Sequence, residues 1–232
     1  MKLSWQQIPS TVVTDILCLN SDDGLVIDNE HASFNPETLY ACIQIATANG
    51  KKCFVRLPEI STTLVRRCLD AGATGLIFST VETKEQVDLI SNISLYPSQG
   101  TAFSCGRRGL GLVRQNKWGL NDLIGKPPVL IAQIETTRGV ENIEEIWGAG
   151  IFDFCMIGPY DLSSSLGSPG IFDSVFEEQV RRIKDTVPVK NMGVHIPTNV
   201  KAQIKNYEDY GMIAYGMDTT FIIESYRKCF DA

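Results

Sequence analysis

The sequence predicts an α/β protein, a single-domain, parallel, eight-stranded (β/α)8 barrel of the TIM type spanning residues 1–232. Three observations carry the prediction. Short apolar segments rich in β-branched and aromatic residues alternate eight times with longer amphipathic ones. No Pro-, Gly- or Ser-rich linker divides the 232 residues. Strand–helix alternation of this kind builds parallel βαβ units, and eight of them match the usual size of such a barrel. An open doubly wound sheet is the competing arrangement.

In chain order, the strand segments are KLSWQQI (2–8), GLVID (24–28), KCFVRL (52–57), TGLIFS (74–79), PVLIAQIE (128–135), FDFCMIG (152–158), NMGVHI (191–196) and MIAYGMD (212–218). The helices follow at 11–20, 36–49, 61–71, 83–93, 138–148, 174–186, 198–209 and 219–230. Asn35-Pro36 sets a capping side chain before a first-turn proline. Thr83 with Gln86, and Ser174 with Glu177, have capping-box spacing. Gly50, Gly72, Gly150 and Gly211 stand where helices should stop. The connection over 94–120 is too long for a plain turn, and Arg107, Arg108 and Arg114 alternate there with glycines. It reads as an active-site cover able to bind anions, with a solvated loop as the plainer alternative.

Composition narrows the function classes. A net charge of −6 and a pI near 5.0 leave nothing to attract a phosphate backbone or an anionic membrane, so no nucleic-acid or membrane partner is expected. No apolar run approaches the roughly 18 residues of a membrane helix. The opening MKLSWQQIPS lacks the apolar stretch of a signal peptide. Seven cysteines, scattered and without a CxxC pair, suggest a reduced, cytoplasmic protein without structural zinc.

A parallel barrel delivers the C-terminal end of every strand to one mouth, where chemistry is done. The polar residues predicted there are Asp28, Glu30, His31, Arg56, Glu82, Gln133, Glu135, Asp161 and His195. Both histidines of the chain are among them. Gln133 and Glu135 are two apart on one strand and share a face. A carboxylate on so apolar a strand is costly unless paired or metal-bound. Glu135 and Asp161, from neighbouring strands and completed by amide oxygen and water, suit a hard octahedral cation such as Mg²⁺ or Mn²⁺. A buried ion pair between Glu135 and an arginine is the alternative. Asp28, three residues before His31, could hold the imidazole and tune it as a base near neutral pH. Arg56 can fork onto a carboxylate. His195 suits substrate contact and structural hydrogen bonding equally. Lys52 and Lys190 fall at the wrong strand ends, which disfavours a Schiff-base mechanism.

The motifs VIDNEHASFN, VRLPE, LDAGATGLIFSTVET, IAQIET, IGPYDLSSSLGSPG and YGMDTT, in that order from about Trp5 to the last helix, resemble the HpcH/HpaI family of metal-dependent class II aldolases. That family sits in the phosphoenolpyruvate/pyruvate-binding barrel superfamily. The resemblance implies a barrel that cleaves or forms 4-hydroxy-2-oxo acids from pyruvate, or a close 2-oxo acid, and an aldehyde. It implies a divalent metal ion, Mg²⁺ or Mn²⁺ with Co²⁺ as an alternative, held by Glu135 and Asp161 with Gln133 beside it. His31, oriented by Asp28, would serve acid/base chemistry through a metal-bound water, and Arg56 would hold the pyruvyl oxygen. Gly158 and Pro159 would offer backbone to the substrate carboxylate, with Tyr160 and His195 completing the substrate-binding set. The resemblance also implies a homo-oligomer, a trimer-of-dimers hexamer, with helix 219–230 exchanged between subunits. Tyr160 departs from the family pattern, in which a small residue is common between the proline and the aspartate. The long loop also carries extra residues, around GTAFSC, and its RRGLGLVRQNKWG stretch hints at members acting in sugar metabolism. The alternatives are another pyruvate-enolate lyase, acyl-CoA lyase-like or of phosphoenolpyruvate type, and a metabolite-binding barrel without turnover.

Overall fold

Eight strands close on one another in sequence order, every neighbouring pair parallel. The structure is a computed structural model and describes residues 1–95 and 127–230. The strands are β1 (Lys2–Gln6), β2 (Gly24–Asp28), β3 (Lys52–Leu57), β4 (Gly75–Phe78), β5 (Val129–Ile134), β6 (Phe154–Ile157), β7 (Met192–Ile196) and β8 (Met212–Tyr215). The predicted barrel is therefore the observed one, and the open sheet is excluded by the β1–β8 pairing.

Around it run α1 (Thr11–Asn20), α2 (Pro36–Ala48), α3 (Thr62–Ala71), α4 (Lys84–Ser94), α5 (Thr137–Glu141), α6 (Ile143–Gly148), α7 (Pro159–Ser165), α8 (Ser174–Thr186), α9 (Val200–Gln203) and α10 (Asp218–Phe230). Asn35 caps α2 by accepting the Thr38 N–H at 2.8 Å, and Thr83 forms the expected capping box with Gln86. Asp173, rather than Ser174, caps α8, accepting the N–H groups of Val175 and Phe176. The helix expected over 138–148 breaks at Asn142, whose amide donates to the Glu82 carbonyl at 2.7 Å. The one expected over 198–209 is a single α-turn followed by a 3-10 segment, Ile204–Tyr207. Gly211 is not a helix stop: a Cβ there would lie 1.9 Å from the Lys190 carbonyl oxygen, so close strand packing demands glycine. The connection bearing Arg107, Arg108 and Arg114 falls almost wholly outside the described residues.

The core has two parts, as the strand period dictates. Outward side chains such as Leu25, Val55, Leu76 and Leu130 pack under the helices. Inward ones, Leu3, Trp5, Val26, Phe54, Ile77, Ile131, Met156, Met212 and Ala214, fill the barrel. Burying each aliphatic side chain stabilises by about 1.5–3 kcal/mol. Two residues further along β2, β3 and β5, the inward row turns polar with Asp28, Arg56 and Gln133. The apolar plug is thus the floor of the site.

Candidate active site

Asp28 and Arg56 are cross-strand partners in the β2–β3 register, and both are buried. The guanidinium forks onto the carboxylate, Nε to Oδ1 at 3.0 Å and Nη2 to Oδ2 at 2.7 Å. Trp5 Nε1 (3.3 Å) and Gln7 Nε2 (3.1 Å) also donate to Oδ2. Burial pushes the Asp28 pKa up, but the hydrogen bonds and charge of Arg56 outweigh it and hold the group at about 2. The second terminal nitrogen of Arg56 reaches Glu30 at 2.9 Å, and Ser79 donates to the same Glu30 oxygen at 2.7 Å. The guanidinium also lies 5.0 Å from the centroid of the Trp5 ring.

This arrangement differs from the expectation that Asp28 orients the His31 ring. Asp28 Oδ1 accepts the backbone N–H groups of Glu30 and His31, each at 3.2 Å, because the guanidinium fork and two side-chain donors already occupy the carboxylate. The His31 ring is exposed at the mouth, and its Nε2 stands 4.0 Å from Glu30. Glu82 is drawn aside, accepting from Thr136 Oγ1 at 2.7 Å.

Glu135 is the first residue beyond β5 and is buried. Its Oε1 accepts both the backbone N–H and the hydroxyl of Thr80, each at 2.7 Å, and its Oε2 accepts from the Gln133 amide. Thr80 holds this position in a left-handed conformation (φ 53°), strained for a β-branched residue. Among the described residues no arginine pairs with Glu135, so the ion-pair alternative has no partner there. Burial pushes its pKa up; Thr80 and Gln133 oppose that, and the carboxylates of Glu30 and Asp161 add to it. Converging negative charge at a buried acid is relieved by a cation. A second observation fits one: Gln133 Oε1 is buried and has no hydrogen-bond partner among the described residues. Gly158 packs so closely that a Cβ would lie 2.5 Å from Glu135 Oε2. Among the described residues no group of three or more His, Cys, Asp or Glu forms a cluster. The oxygen donors available here to a hard divalent ion would be the Glu135 and Asp161 carboxylates and the Gln133 amide oxygen, with water or substrate oxygen to complete the shell.

Asp28, Glu30 and Glu135 are not among the residues that line the adjoining cavity of about 270 Å³, whose wall includes Arg56, Gln133, Gly158, Pro159, Tyr160, Asp161, His31 and His195, and also Trp5, Gln7 and Met217. The last three were not anticipated. Trp5 was legible in principle, lying on the inward row of β1 with Leu3. Gly158 and Pro159 are not backbone donors: Gly158 gives its N–H to the Ile134 carbonyl at 3.1 Å, and proline has none. Asp161 sits in the first turn of α7, a helix hidden from sequence reading by its Gly-Pro start and serine-rich end. A larger, mainly apolar groove of about 580 Å³ lies between α2 and α3 and contains none of the lining residues named above.

The model of the HpcH/HpaI aldolase/citrate lyase family matches residues 5–224. Two proteins named 2-keto-3-deoxy-L-rhamnonate aldolase, from Shigella boydii serotype 4 and Escherichia coli K12, are each 30% identical over 192 residues, 78% of this chain and 67% of theirs. An HpcH/HpaI aldolase/citrate lyase family protein from Burkholderia cenocepacia superposes with a TM-score of 0.85 at 24% identity, covering 100% of this chain and 93% of that one.

Proposed function

Because the chain belongs to the HpcH/HpaI aldolase/citrate lyase family and is a carbon–carbon lyase of the aldolase type, we propose that it reversibly cleaves 4-hydroxy-2-oxo acids. The products are pyruvate, or a close 2-oxo acid, and an aldehyde. The name of the curated relatives makes a 2-keto-3-deoxy sugar acid the first substrate class to try. The observation that carries the reading is the convergence of Arg56, Gln133 and Asp161 on one small cavity, with buried Glu135 hydrogen-bonded to Gln133.

Glu135 and Asp161, with Gln133 Oε1, would hold the divalent ion, Mg²⁺ or Mn²⁺. When bound, that ion supplies Lewis-acid polarisation of the substrate oxygens, worth several kcal/mol. Arg56 contributes a fixed positive charge at the 2-oxo oxygen, where charge develops as the carbon–carbon bond breaks. Asp28 and Glu30 hold the guanidinium rigid, so little reorganisation is needed at that moment. His31, exposed at the mouth, is the acid/base group that takes the 4-hydroxyl proton. The free N–H groups at the start of α7, on Tyr160 and Asp161, serve the substrate carboxylate. The experiment is release of pyruvate from a panel of 4-hydroxy-2-oxo acids, with acyl-CoA thioesters as the competing arm.

The same reading includes a homo-oligomer. Phe221, Ile222, Ile223, Tyr226 and Phe230 of α10 are exposed, and so are Val12, Ile16 and Leu19 of α1. Second copies of this chain would cover these faces. Five of the six cysteines among the described residues are buried and all six are free, which suits a reducing compartment such as the cytoplasm.

A further inference from the structure

His195 stands on β7, on the cavity wall away from Glu135. Its ring lies flat on Trp5, centroids 3.9 Å apart and planes 11° from parallel. Its Nε2 is 3.1 Å from the Gly216 carbonyl oxygen. A carbonyl can only accept, so Nε2 carries the hydrogen. Gly216 reaches this position with φ 64°, and a Cβ there would lie 1.9 Å from the Phe221 ring, so the arrangement depends on glycine. Burial favours the neutral ring. Burial pulls its pKa down to about 4, against the pull of the Gly216 carbonyl, and Arg56 lowers it further.

A neutral ring protonated on Nε2 has a bare lone pair on Nδ1. Among the described residues no group donates to that atom. Of the polar groups nearest to it, Gln7 donates to Asp28 and accepts from Thr219, and Arg56 is shared by Asp28 and Glu30; Gln133 Oε1, the other acceptor without a partner among the described residues, is taken up by the metal reading above. A permanent acceptor repels carboxylate and carbonyl oxygens, which carry only lone pairs. It therefore cannot serve the 2-oxo acid half of the substrate. It can be satisfied by a hydroxyl.

We propose that His195 is the specificity-determining acceptor for a hydroxyl on the aldehyde half, and that the aldehyde this chain takes is accordingly a hydroxyaldehyde. The proposal rests on the aldolase reading above. The test runs the addition direction, pyruvate with glycolaldehyde against pyruvate with propanal, which replaces the hydroxyl by a methyl group. Wild-type protein is expected to favour glycolaldehyde in kcat/KM. His195→Phe keeps a ring for stacking on Trp5 and is expected to lower that preference by about tenfold, the scale of one hydrogen bond, through the KM of glycolaldehyde. His195→Asn sets an amide oxygen near the place of Nδ1 and is expected to restore part of it. With only two histidines in the chain, the ¹⁵N spectrum of His31→Asn reports His195 alone, and a single protonated ring nitrogen between pH 6 and 8 is expected. Equal loss with both aldehydes in His195→Phe, an unchanged preference, or a doubly protonated ring overturns the assignment of His195. Absence of aldol product from either aldehyde with wild-type protein overturns instead the reading on which it rests.

Discussion

Six hydrogen bonds converge on the Asp28 carboxylate, from Trp5, Gln7, the backbone of Glu30 and His31, and twice from Arg56. Breaking a buried pair by neutralising one partner leaves the other charge uncompensated, so Asp28→Asn is expected to destabilise by about 3–5 kcal/mol. The pH dependence has a definite sign. A carboxylate held at about 2 in the folded state, against an ordinary 3.8, adds stability that is complete above 3.8 and is lost as pH falls through about 2. Urea midpoints measured across that window should fall in the wild type, and Asp28→Asn should flatten the part of the slope that belongs to this group. At this scale the sequence was legible by residue type and position. Asp28, Arg56, Gln133 and Glu135 are polar at strand ends where polarity is expensive. Their pairing was not legible. A fork onto Asp28 from Arg56 and a hold on His31 from Asp28 are equally consistent with the spacing, and only the β2–β3 register decides between them.

Among the elements, all eight strands are legible because a buried parallel strand is an uninterrupted apolar run, although β1 and β8 stop two and three residues short of the expected ends. Helices α1 to α4, α8 and α10 agree with expectation to within one residue at each end. The failures have local causes. Asn142 breaks one helix to bond the Glu82 carbonyl, and α7 follows a Gly-Pro pair that reads as a turn. Gly158 at that junction is packed tightly against Glu135 in consequence. Its φ of −94° is open to any residue, so an added methyl acts by contact alone, 2.5 Å from Glu135 Oε2 and 2.7 Å from Glu135 Cβ. Gly158→Ala is expected to displace the Glu135 carboxylate and weaken Mn²⁺ binding by about 10–100-fold, the range for disturbed support of a metal ligand. Overpacking should cost only about 1–3 kcal/mol of stability. Titration calorimetry beside thermal unfolding separates the two effects, and an unchanged Mn²⁺ affinity would count against Glu135 as a ligand.

For the molecule as a whole, the floor of the site is the barrel core itself, and the exposed apolar side chains among the described residues include those of α1 and α10. If copies of this chain cover those faces, Ile222→Glu with Tyr226→Glu should shift the protein toward a monomer in light scattering while the barrel remains folded. A wild-type monomer would remove the oligomer from the account. The closed architecture was legible because eight alternations leave few other ways to bury every strand. The assembly was not legible, since an exposed apolar helix face looks in sequence like one turned to the core. The central claim is metal-dependent cleavage at Glu135, and one measurement meets it most directly: the rate of pyruvate release from 4-hydroxy-2-oxo acids as Mn²⁺ is restored to chelator-treated protein, wild type beside Glu135→Gln. The substituted amide keeps an acceptor for Thr80, and a flip of the Gln133 amide would turn its oxygen toward the new donor, so the fold should hold. The account predicts a saturable rise in the wild type and a loss on the order of a thousandfold in the variant. Full-rate release without metal, or an undiminished rate in Glu135→Gln, would contradict it.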